Sequence, residues 1–187
     1  MHKQSEHQEI QESELHEIEE RFRATFEQAA VGIAHVGTEG QWLRVNQRLC
    51  NIVGYSEHEL RTKTFQEITH PDALAADLGY VELLLSGQRQ RYAMEKRYIR
   101  KTGDVVWINL TVALVRSPAG DPKYFISVVE DISDRKQVES DLLSSEQRFR
   151  KAITSAPFPV IICAEDGEIL HISEGWTRLS GYQPSDI

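Results

Sequence analysis

Over the first thirty positions the apolar residues follow one narrow stripe. Leu15, Ile18, Phe22, Thr25 and Ala29 are spaced 3, 4, 3 and 4 apart. No Gly or Pro interrupts this stretch, and eight Glu surround the stripe against Lys3, Arg21 and Arg23. Such a seam predicts a helix of the kind found in two-stranded coiled coils. The alternative is a lone amphipathic helix lying on its own domain. The pattern then changes period. A short apolar run at 31–36, the turn Gly37-Thr38-Glu39-Gly40 and a second run at 41–45 predict a hairpin. The two glycines do not make a phosphate loop, because the spacing is wrong and no Lys follows.

Short helices are expected next. Asn46 can cap one over 47–53, ended by Gly54. Ser56 can cap another, with Glu59 completing a capping box. One further turn is expected over 64–68. Pro71 suits a first helical position, and that helix runs through Leu74, Leu78, Val81 and Leu85 to Gly87. Three longer strands follow over 91–101, 105–116 and 124–132, separated by Thr102-Gly103-Asp104 and Pro118-Ala119-Gly120-Asp121. Two tight turns between long strands imply an antiparallel meander. The order predicts an α+β domain with a five-stranded antiparallel sheet and helices on one face. Ser133 can cap a final helix, in which Val138, Leu142, Ser145, Phe149 and Ala152 are spaced 4, 3, 4 and 3.

The chain also repeats itself at an offset of 127 residues. Without a gap, nine of 42 aligned residues are identical. They include Arg21-Phe22-Arg23 with Arg148-Phe149-Arg150, Gly40 with Gly167, and Gly54-Tyr55 with Gly181-Tyr182. Apolar character also persists, as at Ile33 and Val160 or Leu60 and Ile187. The offset sets Leu142 on Leu15 and Phe149 on Phe22, so one seam precedes both copies. The expected organisation is an N-terminal helix (1–21), a domain (22–132), a helical linker (133–150) and the truncated start of a second domain (151–187). The sequence is therefore expected to be a piece of a longer chain.

Charge and composition narrow the function. Of the 187 residues 40% are hydrophobic and 27% charged, a globular composition. With 29 Asp and Glu against 21 Lys and Arg, the net charge of −8 argues against nucleic-acid binding. No apolar run approaches the roughly 20 residues of a spanning helix. The polar start, residues 1–10, has no signal-peptide core. A cytoplasmic setting is expected, with any membrane anchor lying elsewhere in the parent chain. Cys50 and Cys163 form no CxxC and no disulfide framework.

Taken in order, these residues resemble a PAS domain with its C-terminal PAC motif. The resemblance is carried by Gly40, Asn46, Gly54-Tyr55-Ser56, His70-Pro71-Asp72, Arg100-Lys101-Thr102-Gly103-Asp104, Val106-Trp107 and the run from Val129 to Lys136. It is greatest to the PAS fold-3 subgroup, and the first half of a second PAS domain begins near residue 146. Ala73 and Thr102 depart from the pattern at places where Asp is common. The resemblance implies a sensory and dimerisation module with a cavity between sheet and helices. It also implies an output domain further along the parent chain, a diguanylate cyclase or phosphodiesterase, with a sensor histidine kinase as the alternative. A ligand-free dimerisation scaffold is a third reading.

Candidate chemistry is sparse. The stretch 61–68, where photoactive flavin relatives carry a Cys, has none. The helix over 71–86, where haem-binding relatives carry a His, has none either. The residues thus argue against haem and against flavin–cysteine photochemistry, and the cofactor is left unknown. His70 belongs to the helix start, His35 and His58 do not pair with it at ligand spacing, and no metal site is expected. No catalytic residues are expected in this segment. Alternation along 105–116 points Ile108, Leu110 and Val112 inward, with Val106 and Leu114. By similarity to PAS domains, Phe65, Met94, Tyr98, Ser127 and Val129 join them as cavity candidates. A filled core and a small-molecule site are left as equal alternatives. Asp131, Leu142 and Phe149 are the residues expected to relay a signal. A homodimer through the flanking helices is the expected assembly, with no nucleic acid and no membrane contact in this segment.

Overall fold

The structure, a computed structural model, describes residues 2–181, and side-chain surroundings from residue 13 onward. It divides into two compact units, 1–133 and 134–187. The correspondences drawn through Tyr182 and Ile187 lie outside the described residues.

The first unit opens with helix α1 (His2–Glu27), followed by β1 (Gly32–Val36) and β2 (Trp42–Val45). Four helices come next: α2 (Gln47–Val53), α3 (Glu57–Leu60), α4 (Phe65–Ile68) and α5 (Pro71–Leu85). The meander is β3 (Arg91–Ile99), β4 (Val105–Arg116) and β5 (Pro122–Asp131). The five strands form one antiparallel sheet in the order β2-β1-β5-β4-β3. The hairpin strand β1 therefore pairs with the last strand, so the two chain ends of the domain meet in mid-sheet. Ala34 faces Ser127, Ser127 faces Val112, and Val112 faces Tyr92, giving one inward row across four strands. The expected α+β architecture is thus present, with strand ends one or two residues from those read in the sequence. Helices α2 to α5 cover the inward face, burying Leu49, Val53, Leu60, Ile68 and Leu84 against Val106, Ile108 and Val129.

Local chemistry explains the turns. Gly40 closes the β1–β2 hairpin at φ 100°, and Gly54 ends α2 at φ 77°, conformations that side chains resist. Ser56 and Glu59 form the reciprocal capping box of α3. His70 caps α5, with Pro71 at its first turn and the His70 ring 2.5 Å from an Asp72 carboxylate oxygen.

One side chain ties the first half of this domain together. Asn46 Oδ1 accepts from Leu49 N (3.0 Å), capping α2, and from Ile33 N (2.9 Å) on β1. Its Nδ2 donates to Phe26 O (2.8 Å) at the end of α1 and to Val31 O (3.0 Å). Wholly buried, it spends its donors and acceptor on backbone that would otherwise be unpaired.

The second unit comprises α6 (Ser133–Thr154), β6 (Ile161–Cys163), β7 (Ile169–Ile172) and α7 (Glu174–Ser180), with β6 and β7 antiparallel. Ser173, 127 residues after Asn46, repeats the same fastening with a hydroxyl. Its Oγ accepts from Trp176 N (3.2 Å) and Val160 N (2.9 Å) and donates to Phe158 O (2.9 Å). Gly167 and Gly181 repeat the positive φ of Gly40 and Gly54. The sequence repeat is a repeat of hydrogen bonds.

Candidate functional site: a polar cluster in the sheet–helix cavity

The inward residues of β3 alternate: Tyr92, Met94, Lys96 and Tyr98 point at the helices. Lys96 is the exception in character, an ammonium at 1% exposure. Its partner is Asp77 of α5, at 0% exposure, whose Oδ2 accepts from Lys96 Nζ. Asp77 Oδ1 accepts from the Tyr92 hydroxyl at 2.7 Å. Lys96 also donates to Thr69 Oγ1 at 3.1 Å, and its Nζ lies 4.5 Å from the centre of the Tyr98 ring. Every formal charge in the cluster is answered, as burial requires.

Burial sets the protonation states here. Desolvation pushes the Lys96 ammonium towards its neutral form, and the Asp77 carboxylate pulls it back. Tyr92 and Tyr98 are held far above the usual phenol range, first by burial and then by the Asp77 charge. Both phenols stay neutral.

The cluster borders a cavity of about 300 Å³, within which the centre of a water-sized molecule has about 20 Å³ to move. Phe65, Tyr98, Leu110, Val112 and Ser127, among the expected cavity residues, line it. Ile108 and Val129 are buried beside it in the core, and Met94 packs against that core half-buried. Sequence reasoning missed Asp77, Lys96, Tyr92 and Trp42, which also line it. For Lys96 and Tyr92 the signal was present in the two-residue period that includes Met94 and Tyr98. For Asp77 there was none, because α5 offers no feature that marks one Asp as buried.

At the other end of the sheet, Asp131 closes β5. Its Oδ1 accepts from Ser133 N (2.9 Å) at the start of α6, and its Oδ2 accepts from Arg100 (3.3 Å). Leu142 and Phe149 are both 61% exposed on α6. His35 of β1 lies under the end of α1, with ring centres 5.6 Å from Phe26 and 5.0 Å from Tyr124. Arg44, its register neighbour on β2, stacks on Phe26 at 4.6 Å. Burial and then the Arg44 charge hold the His35 pKa below its usual value.

A five-stranded antiparallel sheet in the order 2-1-5-4-3, with short helices enclosing a cavity on one face, decides the family. Residues 43–129 match the PAS fold family and residues 147–187 match the PAS domain family. The chain belongs to the PAS family. Over 135 residues it is 50% identical to the probable diguanylate cyclase DgcE of Escherichia coli, covering 72% of this chain and 12% of that protein. Over 176 residues it is 26% identical to the sensor histidine kinase TmoS of Ectopseudomonas mendocina, covering 90% of this chain and 18% of that protein. The chain thus spans less than a fifth of either relative.

Among solved structures, a sensory box histidine kinase/response regulator from Burkholderia thailandensis is similar to this PAS chain. The TM-score is 0.55 at 27% identity, over 70% of this chain and 98% of that one. A PAS domain from Colwellia psychrerythraea shares the fold at TM-score 0.58 and 16% identity, over 63% of this chain and 98% of that one. The PAS region is a sensory module with no catalytic domain of its own. No helix among the described residues is long and apolar enough to cross a membrane.

Proposed function

We propose that this PAS region regulates a diguanylate cyclase output in a cytoplasmic bacterial signalling protein. The observation that carries the reading is the 50% identity to DgcE, against 26% to the histidine kinase TmoS. The sensor histidine kinase stands as the second reading, because the TmoS match runs through both units of the chain. The test is direct. The full-length protein containing this chain is purified and given GTP in one reaction and labelled ATP in another. Cyclic diguanylate from GTP supports the proposal, whereas a phosphohistidine from ATP replaces it with the second reading.

In this reading the sheet–helix cavity receives a small-molecule signal and the flanking helices carry it. Leu15, Ile18 and Phe22 on α1, and Val138, Leu142 and Phe149 on α6, are exposed apolar residues at coiled-coil spacing. A homodimer through both helices would cover them. Residues 133–150 then act as the linker, and Asp131 joins domain to linker through Arg100 and the Ser133 amide. A change in the sheet that moved Arg100 would alter the start of α6.

A further inference from the structure

We propose that the cavity of the first unit binds a small uncharged molecule bearing an oxygen acceptor, of the class of short-chain ketones and alcohols. The inference rests on the sensory reading above and names the ligand class of that cavity. Three observations carry it.

The first is an orphaned donor. Trp42 lines the cavity at 2% exposure, and its indole Nε1 is buried with no hydrogen-bond partner. Buried donors are paired in folded proteins, so an acceptor is owed to this one. The Ser127 hydroxyl on the same wall makes no hydrogen bond to protein among the described residues. The wall therefore offers an indole donor and a hydroxyl that can donate or accept.

The second is charge. Lys96 and Asp77 neutralise each other, and Tyr92 and Thr69 take up further hydrogen-bonding capacity. An ionised ligand entering this cavity would leave water and meet no free counter-charge. Carboxylates, phosphates and ammonium compounds are disfavoured on that ground, and an uncharged molecule is not.

The third is size and lining. Phe65, Tyr98, Phe125, Leu110 and Val81 supply apolar surface around the cavity. Its 20 Å³ of free movement suits a ligand of few heavy atoms. An apolar body with a single acceptor matches those walls.

The test uses the 187-residue chain labelled with nitrogen-15. The indole resonance of Trp42 is assigned by its loss in Trp42→Phe, which separates it from Trp107 and Trp176. Three probes of similar size are titrated: 2-butanone, propionate and propylammonium. The proposal expects saturable movement of the Trp42 resonance with 2-butanone, and at least about tenfold weaker response to either ion. Ser127→Ala, which deletes a hydroxyl bonded to no protein group, is expected to weaken 2-butanone binding about two- to tenfold. Tighter or equal binding of an ion overturns the ligand class and leaves the cavity as a sensory site. If no probe moves Trp42, and its indole proton shows contact with bound water alone, the ligand class and the ligand-sensing part of the function both fail. The cyclase assay above is independent of either outcome.

Discussion

Asp77→Asn is the perturbation whose consequence follows most directly from the fold. It removes the counter-charge of a Lys96 ammonium at 1% exposure while keeping the shape and one acceptor for Tyr92. Leaving one partner of a buried ion pair alone costs about 3–5 kcal/mol. That is a large part of the roughly 5–15 kcal/mol by which domains are stable. The cost has a signature in pH. With no carboxylate beside it, Lys96 sheds its proton on folding, while the unfolded chain keeps its own until about pH 10.4. The unfolded state then binds more protons, so stability rises with pH. The expected slope is about 1.4 kcal/mol per unit between pH 7 and 9, far above that of the parent. The assay is urea unfolding followed by NMR resonances of the first unit, at several pH values. The double variant Asp77→Leu with Lys96→Met is expected to recover most of the loss, since well-packed apolar residues replace buried pairs at little cost. A loss below about 1 kcal/mol for Asp77→Asn, with no added pH slope, would refute the claim that this pair is desolvated and mutually dependent.

Other predictions concern the ends of the domain. Asn46→Ala strands buried backbone groups at the α1 exit, β1 and α2; a loss of about 2–4 kcal/mol is expected, with hydrogen exchange rising first at Ile33 and Leu49. Asn46→Ser, the residue found at the repeated position, is expected to restore part of that loss. For His35 the folded pKa is depressed, so the unfolded state binds the proton first as pH falls. Thermal stability is therefore expected to drop on acidification from pH 7.5 through the ordinary histidine value near 6.5, and less so in His35→Gln. Asp131→Ala removes the acceptor of the Ser133 amide; it is expected to cost about 1 kcal/mol of stability yet to shift output of the full-length protein well beyond that loss.

The meander and helix order were legible in the sequence because their signals are local. Alternation set Val106, Ile108, Leu110 and Val112 inward, and Gly40, Gly54 and Pro71 punctuated the elements. The repeat was legible in identities, but its physical meaning was not. Asn46 and Ser173 are different residue types, and only their hydrogen bonds show that they do the same work. The charged part of the site was hidden for another reason. Asp77 and Lys96 come from different elements 19 residues apart, and each alone resembles a solvent-facing charge. Their pairing depends on how α5 crosses the sheet, which no periodicity encodes.

The central claim is that α6 carries a signal from the sensory domain to a cyclase. Inserting one Ala beside Leu142 tests it in the full-length protein. One extra residue turns everything beyond it by about 100° on the helix, which breaks the seam shared by Leu142 and Phe149 while leaving the domain before it unchanged. The quantity to measure is the rate of cyclic diguanylate formation from GTP, beside a seven-residue insertion that restores the seam. The account predicts a rate changed severalfold by the single insertion and returned towards the parent by the seven-residue one. Equal rates in all three proteins would contradict it.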